Sequence, residues 1–234
     1  MAMPELPLFE RAGENPTVKI CGFRDGRNLA AVAALGVDAV GLNFWPGSKR
    51  VVQAGEAARW AADLPAQVIR VGVFVEPTEA EVREVVENGA AQVAQLHGNE
   101  SAALVKSLLR NGIPVIKAVG IKHPDDLRHA ATLGTPWVLA DAFAPGVFGG
   151  TGRLLDGDLV LQAWQQAPSL KLGLSGGLTP KNVAAAIACV RPALVDVASG
   201  VESEPGIKDL AAVKDFLEAV RSVPSPPEKG ERSS

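Results

Sequence analysis

The sequence predicts an α/β protein in which eight strand–helix units close into a single (β/α)8, or TIM, barrel. Three observations carry that prediction. Short apolar runs alternate with longer Ala-rich amphipathic stretches, the runs number about eight, and no nucleotide-binding glycine pattern follows the first of them. Eight parallel strands can close on themselves and leave no exposed edge. The alternative, an open doubly wound sheet, would announce itself with GxGxxG or GxxxxGK[ST] after the first strand, where this chain reads KICGFRDG.

Each element follows from its own local pattern. TVKIC (17–21) is the first strand and is followed by a helix over 27–35. AVGLNF (39–44) leads through a long loop to a helix over 54–64, and VIRVGVFV (68–75) to one over 78–88, where the Thr78 hydroxyl can cap first-turn amides. AQVAQL (91–96), PVIKAV (114–119) and PWVLA (136–140) precede helices over 100–111, 124–133 and 156–167. LKLGL (170–174) and ALVDVA (193–198), with helices over 180–190 and 208–220, complete the series. Gly89 and Gly112 stand where helices end. Strand starts lie about 22 or 23 residues apart, except about 29 after the second and about 34 after the sixth. Those excesses are loops on the strand-to-helix side, the face on which a barrel carries its chemistry.

Residues 17–221 are therefore expected to form the barrel, with 1–16 a flexible extension and 222–234 a disordered tail, because both ends are rich in Pro, Ser, Gly and charge. A chain of 234 residues, 47% hydrophobic, is long enough for one sizeable core. The formal net charge of −3 gives no positive field for nucleic acid, so any bound anion is expected to be small. Two cysteines and three histidines form no ligand cluster, which argues against a metal site. No apolar run reaches the 18 or so residues of a membrane span, and the N-terminus lacks a secretory core; a soluble, cytoplasmic protein is expected.

Glycine concentrates after the last three strands: GVFGGTG (146–152), SGGL (175–178) and ASGVE (198–202). Closely spaced glycines let backbone amides approach an anion, and the loops after strands seven and eight are the usual phosphate site of this fold. Tight turns alone would also account for any single one of them. Cys21 ends the first strand and Asp141 the sixth, so both can reach the mouth. A partly ionised thiol can serve as a base and a carboxyl group as an acid; simple packing of the thiol and a loop cap for the aspartate are the competing readings. Cys189, inside a helix, is expected only to pack. Lys49 and Arg50 lie in the long loop after the second strand, and the planar guanidinium suits a carboxylate. His97 ends the fourth strand and should face the mouth, whereas His123 and His129 flank a polar helix and should be solvated. Phe44 and Trp45 can wall an aromatic ring or simply pack beneath a loop. Lys117, within the fifth strand, is the lysine to watch for ammonium-acid chemistry at the mouth.

Taken in order, KICG (19–22), GLNFWPGSKR (41–50), GVFVE (72–76), QLHG (95–98), LAD (139–141), GGTG (149–152), LSGGLTPKNV (174–183) and VDVASGVE..PGIKD (195–209) resemble the phosphoribosylanthranilate isomerase family. The match runs from about Val18 to Lys214. The resemblance implies an enzyme of tryptophan biosynthesis that converts N-(5-phosphoribosyl)anthranilate into 1-(2-carboxyphenylamino)-1-deoxyribulose 5-phosphate by an Amadori rearrangement without a cofactor. It implies Cys21 as general base and Asp141 as general acid. Arg50 would sit near the anthranilate carboxylate, and Gly150, Gly176, Gly177, Ser199 and Gly200 would grip the phosphate. His97 and Asp196 are further substrate-binding candidates, Asp196 either contacting substrate or holding another side chain. Arg24 and Lys49 depart from the family pattern and add positive charge, so Arg50, Lys49 and Arg24 all stand as partners for the carboxylate. The phosphoribosyl substrate is the expected partner, with no nucleic acid or membrane; monomer and homodimer stay open. Other phosphosugar barrel enzymes and a non-catalytic metabolite-binding barrel are the rival readings.

Overall fold

Strands that are apolar along their whole length need cover on both faces, and here they receive it. A computed structural model describes residues 6–10, 15–142 and 156–224. Within them, eight parallel strands form a closed barrel in sequence order: β1 (Thr17–Cys21), β2 (Ala39–Asn43), β3 (Ile69–Phe74), β4 (Val93–Leu96), β5 (Val115–Ile121), β6 (Trp137–Ala142), β7 (Lys171–Leu174) and β8 (Leu194–Val197). The seam closes where β8 pairs with β1, Thr17 opposite Leu194 and Lys19 opposite Asp196. The expected strands are all present, within two residues at each end.

Helices α1 (Gly26–Ala33), α2 (Ala54–Ala62), α3 (Glu79–Glu87), α4 (Ala102–Arg110), α5 (Asp126–Ala130), α6 (Gly157–Gln165), α7 (Val183–Val190) and α8 (Leu210–Arg221) follow the strands in turn. Five start at side-chain caps: Asp25, Thr78, Ser101, Asp156 and Asp209 each accept from first-turn amides. Each such cap contributes about 1 kcal/mol. Thr78 and Glu81 form the full reciprocal capping box. Helices α5 and α7 are shorter than expected, for identifiable reasons. Asp126 spends its carboxylate on the amides of Lys122 and His123, and Thr132 bonds back to the His129 carbonyl. Asn182 donates to the Gly177 carbonyl and accepts from the Thr179 amide, so the residues ahead of α7 hold the glycine turn instead of joining the helix.

Part of the expected N-terminal extension is packed. Pro7–Phe9 forms a 3-10 turn with Leu6, Leu8 and Phe9 buried. The Thr17 hydroxyl donates to the Leu8 carbonyl at 2.7 Å, and Lys171 meets Glu10 at 2.6 Å. Thr17 and Lys171 begin their strands, so this segment lies at the barrel floor, opposite the face that carries chemistry. Averaging composition over 16 residues hid a local LPLF run with enough apolar surface to offset its ordering. At the other end Val223 is buried and the Pro224 carbonyl accepts from Arg191, so packing continues slightly beyond the expected boundary at 221. A small antiparallel hairpin, β9 (Glu202–Glu204) and β10 (Ile207–Lys208), follows β8 and was not foreseen. Among the described residues no helix is long and apolar enough to cross a membrane.

Candidate active site

The C-terminal ends of the strands converge on one cavity. Cys21 is the last residue of β1, His97 follows β4, Asp141 is the penultimate residue of β6, and Asp196 sits in β8; all four line the cavity together with Arg50. Ser175, Gly176 and Gly177 after β7 and Ser199 and Gly200 after β8 line it too. Gly150 and the GGTG run lie outside the described residues.

The polar groups are held in pairs. His97 Nε2 is 3.1 Å from Asp141 Oδ2. The Lys19 ammonium, fully buried in the barrel, donates to Asp196 Oδ2 at 2.7 Å. Arg50 makes a two-pronged contact with Glu202, Nε to Oε1 at 2.8 Å and Nη2 to Oε2 at 2.6 Å. Lys208 donates to the same carboxylate at 2.7 Å and to the carbonyl of Cys21. The hairpin thereby ties the loop after β2 to the end of β1. Two glycines make room for this arrangement. A side chain at Gly22 would collide with Arg50 Cδ, and one at Gly200 with the Leu178 carbonyl oxygen, so the turns after β7 and β8 touch backbone to backbone. Gly176 (φ +88°) and Gly177 (φ +66°) occupy the left-handed region that glycine adopts without strain.

Burial raises the Cys21 thiol above its ordinary value, opposed by the Lys19 ammonium and assisted by Asp196. Burial likewise raises the Asp196 carboxyl against the pull of Lys19. Glu202 is held below its ordinary value: burial works the other way, but hydrogen bonds from Arg50, Lys208 and the Gly206 amide outweigh it. Asp196 Oδ1 and Gln95 Oε1 are buried without a hydrogen-bond partner among the described residues, and both residues line the cavity. Each is an acceptor for a donor arriving in the cavity.

Of the three candidate cations for a carboxylate, Arg50 lines the cavity; Lys49 and Arg24 are exposed, and the Arg24 stem lies over Gly206. Phe44 stacks on Phe74 at 5.4 Å and, with Trp45, lines a neighbouring groove, so these rings pack outside the cavity. Lys117 is not at the mouth: its ammonium donates to the carbonyls of Leu96, Gly98 and Ala118 and lies 3.0 Å from Glu100 Oε2. Cys189 is exposed, which corrects the expectation that it packs; α7 buries Val183, Ile187 and Val190, and position 189 falls outside that stripe. Sequence reasoning singled out neither Lys19, Gln95, Glu202 nor Lys208. The first two carried a signal, since each lies two residues before a chosen residue on a strand and shares its face.

A family model described as N-(5'phosphoribosyl)anthranilate (PRA) isomerase matches residues 18–219. The chain is 43% identical over 206 residues to an N-(5'-phosphoribosyl)anthranilate isomerase of Pseudomonas fluorescens, a match covering 87% of this chain and 94% of that one. Its fold is similar to the crystal structure of phosphoribosyl anthranilate isomerase from Thermotoga maritima, with a TM-score of 0.80, 37% identity and coverage of 88% and 98%. It is also similar to a phosphoribosyl anthranilate isomerase in complex with reduced 1-(o-carboxyphenylamino)-1-deoxyribulose 5-phosphate, with a TM-score of 0.77, 36% identity and the same coverage.

Proposed function

Because the chain belongs to the N-(5'-phosphoribosyl)anthranilate isomerase family and is an isomerase of tryptophan biosynthesis, we propose that Cys21 is its general base and Asp141 its general acid. The observation that carries the assignment is their placement: both end in one cavity, on strands well separated around the barrel. Asp141 protonates the furanose ring oxygen, and the ring opens to an iminium. That cation acidifies the neighbouring C2 proton, which the Cys21 thiolate removes; the resulting enolamine tautomerises to the ketone. The substrate supplies its own electron sink, so the rearrangement requires no cofactor.

His97, bonded to Asp141, orients the acid. Arg50 meets the anthranilate carboxylate, its guanidinium fixed beforehand by Glu202. Asp196 serves in both ways considered from the sequence: Oδ2 holds Lys19 while Oδ1 accepts from a sugar hydroxyl. Gly176, Gly177, Ser199 and Gly200 seat the phosphate, with Gly150 assigned to the same grip on sequence grounds. A phosphorylated substrate of this kind fits the cytoplasmic location expected for the chain. The test is loss of phosphoribosylanthranilate fluorescence on adding the protein, followed for the wild type and for Cys21→Ala and Asp141→Asn. Turnover that survives in a folded variant overturns the role assigned to that residue.

A further inference from the structure

The scheme above makes no use of the cation buried beneath the thiol. Lys19 and Cys21 are two residues apart on β1 and so project from the same face of the strand, into the barrel. The Lys19 ammonium donates to the Asp196 carboxylate at 2.7 Å, and the neighbouring Cys21 sulfur feels its positive charge. Gly41 on β2 records how closely these groups crowd together: a side chain there would come within 2.5 Å of Cys21 Sγ and 3.1 Å of Lys19 Cε. Burial alone would discharge the lysine, but Asp196 and Cys21 outweigh it, and the ammonium stays charged. A buried ion pair contributes little net stability. A cation beside a thiol, in contrast, directly alters how readily that thiol ionises.

We propose that Lys19, held charged by Asp196, is the internal counter-charge of the Cys21 thiolate and thereby a positioning residue for proton abstraction from C2. As the thiolate takes the proton, the C2–H electron pair enters the C1–C2 bond and the iminium nitrogen becomes neutral. The sulfur then carries the proton, and Lys19 remains paired with Asp196. Other charges also face the sulfur. Asp196 from β8 opposes its ionisation and Lys208 from β10 favours it, while Arg50 approaches from the loop after β2. Among the cations Lys19 acts most strongly, since Lys208 is committed to Glu202 and the Cys21 carbonyl.

The proposal rests on Cys21 being the base for its catalytic consequence alone, so thiol ionisation and turnover are read separately. In a Cys189→Ala background, the rate of Cys21 alkylation by iodoacetamide is followed against pH for the parent, for Lys19→Met and for Lys19→Met/Asp196→Leu. The double variant removes both charges and leaves no unpaired buried ion, a replacement that cores generally accept. In Lys19→Met the alkylation midpoint should rise by about one pH unit or more, with reactivity near neutral pH at least about tenfold lower. The acidic limb of kcat/KM should move the same way. The double variant should show a smaller rise, because the opposing carboxylate is gone too, and it decides the matter if the single variant does not fold. An unmoved midpoint in a folded variant overturns the proposal. A raised midpoint with an unchanged kcat/KM profile upholds Lys19 as counter-charge and overturns Cys21 as base.

Discussion

His97 Nε2 stands 3.1 Å from Asp141 Oδ2, with both side chains largely withdrawn from solvent. A carboxyl group that must deliver a proton to one ring oxygen gains from having its second oxygen held. His97→Gln should therefore lower kcat about tenfold, the equivalent of one charge-assisted hydrogen bond of about 1.5 kcal/mol, with a smaller effect on KM. In the double variant with Asp141→Asn the two losses should be strongly non-additive. Simple addition would show that the contact does not serve the acid.

Cys21→Ala and Asp141→Asn should each lower kcat by at least about 10², the lower bound for a positioned base or acid. Circular dichroism should report an unchanged fold, since neither substitution opens a large void.

Arg50→Ala should raise KM about tenfold or more with a smaller effect on kcat, as expected for loss of a charge-assisted contact to the substrate carboxylate. Lys49→Ala, which alters an exposed residue away from the cavity, should leave both constants near the parent values. The reverse pattern would reassign the carboxylate contact to Lys49.

Gly200→Ala should weaken phosphate binding. The new methyl group would collide with the Leu178 carbonyl, and backbone on both sides has no flexible side chain to yield. KM should rise at least about tenfold, and competitive inhibition by inorganic phosphate should weaken in parallel. Retained phosphate inhibition would place the anion elsewhere.

Glu202→Gln should destabilise the protein in a pH-dependent manner. The carboxyl lies below its ordinary value of 4.5 in the folded state, so its ionisation stabilises the fold above that pH, and the contribution is lost as pH falls through the folded value. The urea midpoints of parent and variant should thus differ at pH 7 and draw together as the pH is taken down below 4.5. A constant gap across that range would assign the destabilisation to packing.

The barrel was legible because strand and helix periods differ and each apolar run is short; every one of the eight strands fell at its expected place. The site was legible where chemistry coincides with a strand end, as for Cys21, His97 and Asp141. It was not legible where a residue acts through a partner distant in sequence. Glu202 reads as an ordinary surface acid until Arg50 and Lys208 are seen against it, and Lys19 reads as a misplaced charge in an apolar strand until Asp196 is found across the seam. The packed N-terminal turn was missed for another reason: three buried side chains were averaged into a polar neighbourhood.

The hairpin of β9 and β10 belongs to the final strand–helix unit, yet its acid and its amine clasp groups contributed by the first two units. A nascent chain carries Cys21 long before it acquires Glu202 and Lys208. Truncated or stalled products therefore carry the reactive sulfur without the clasp that braces it and the guanidinium beside it. Competence at this rim therefore requires that the first and last units of the ring be joined.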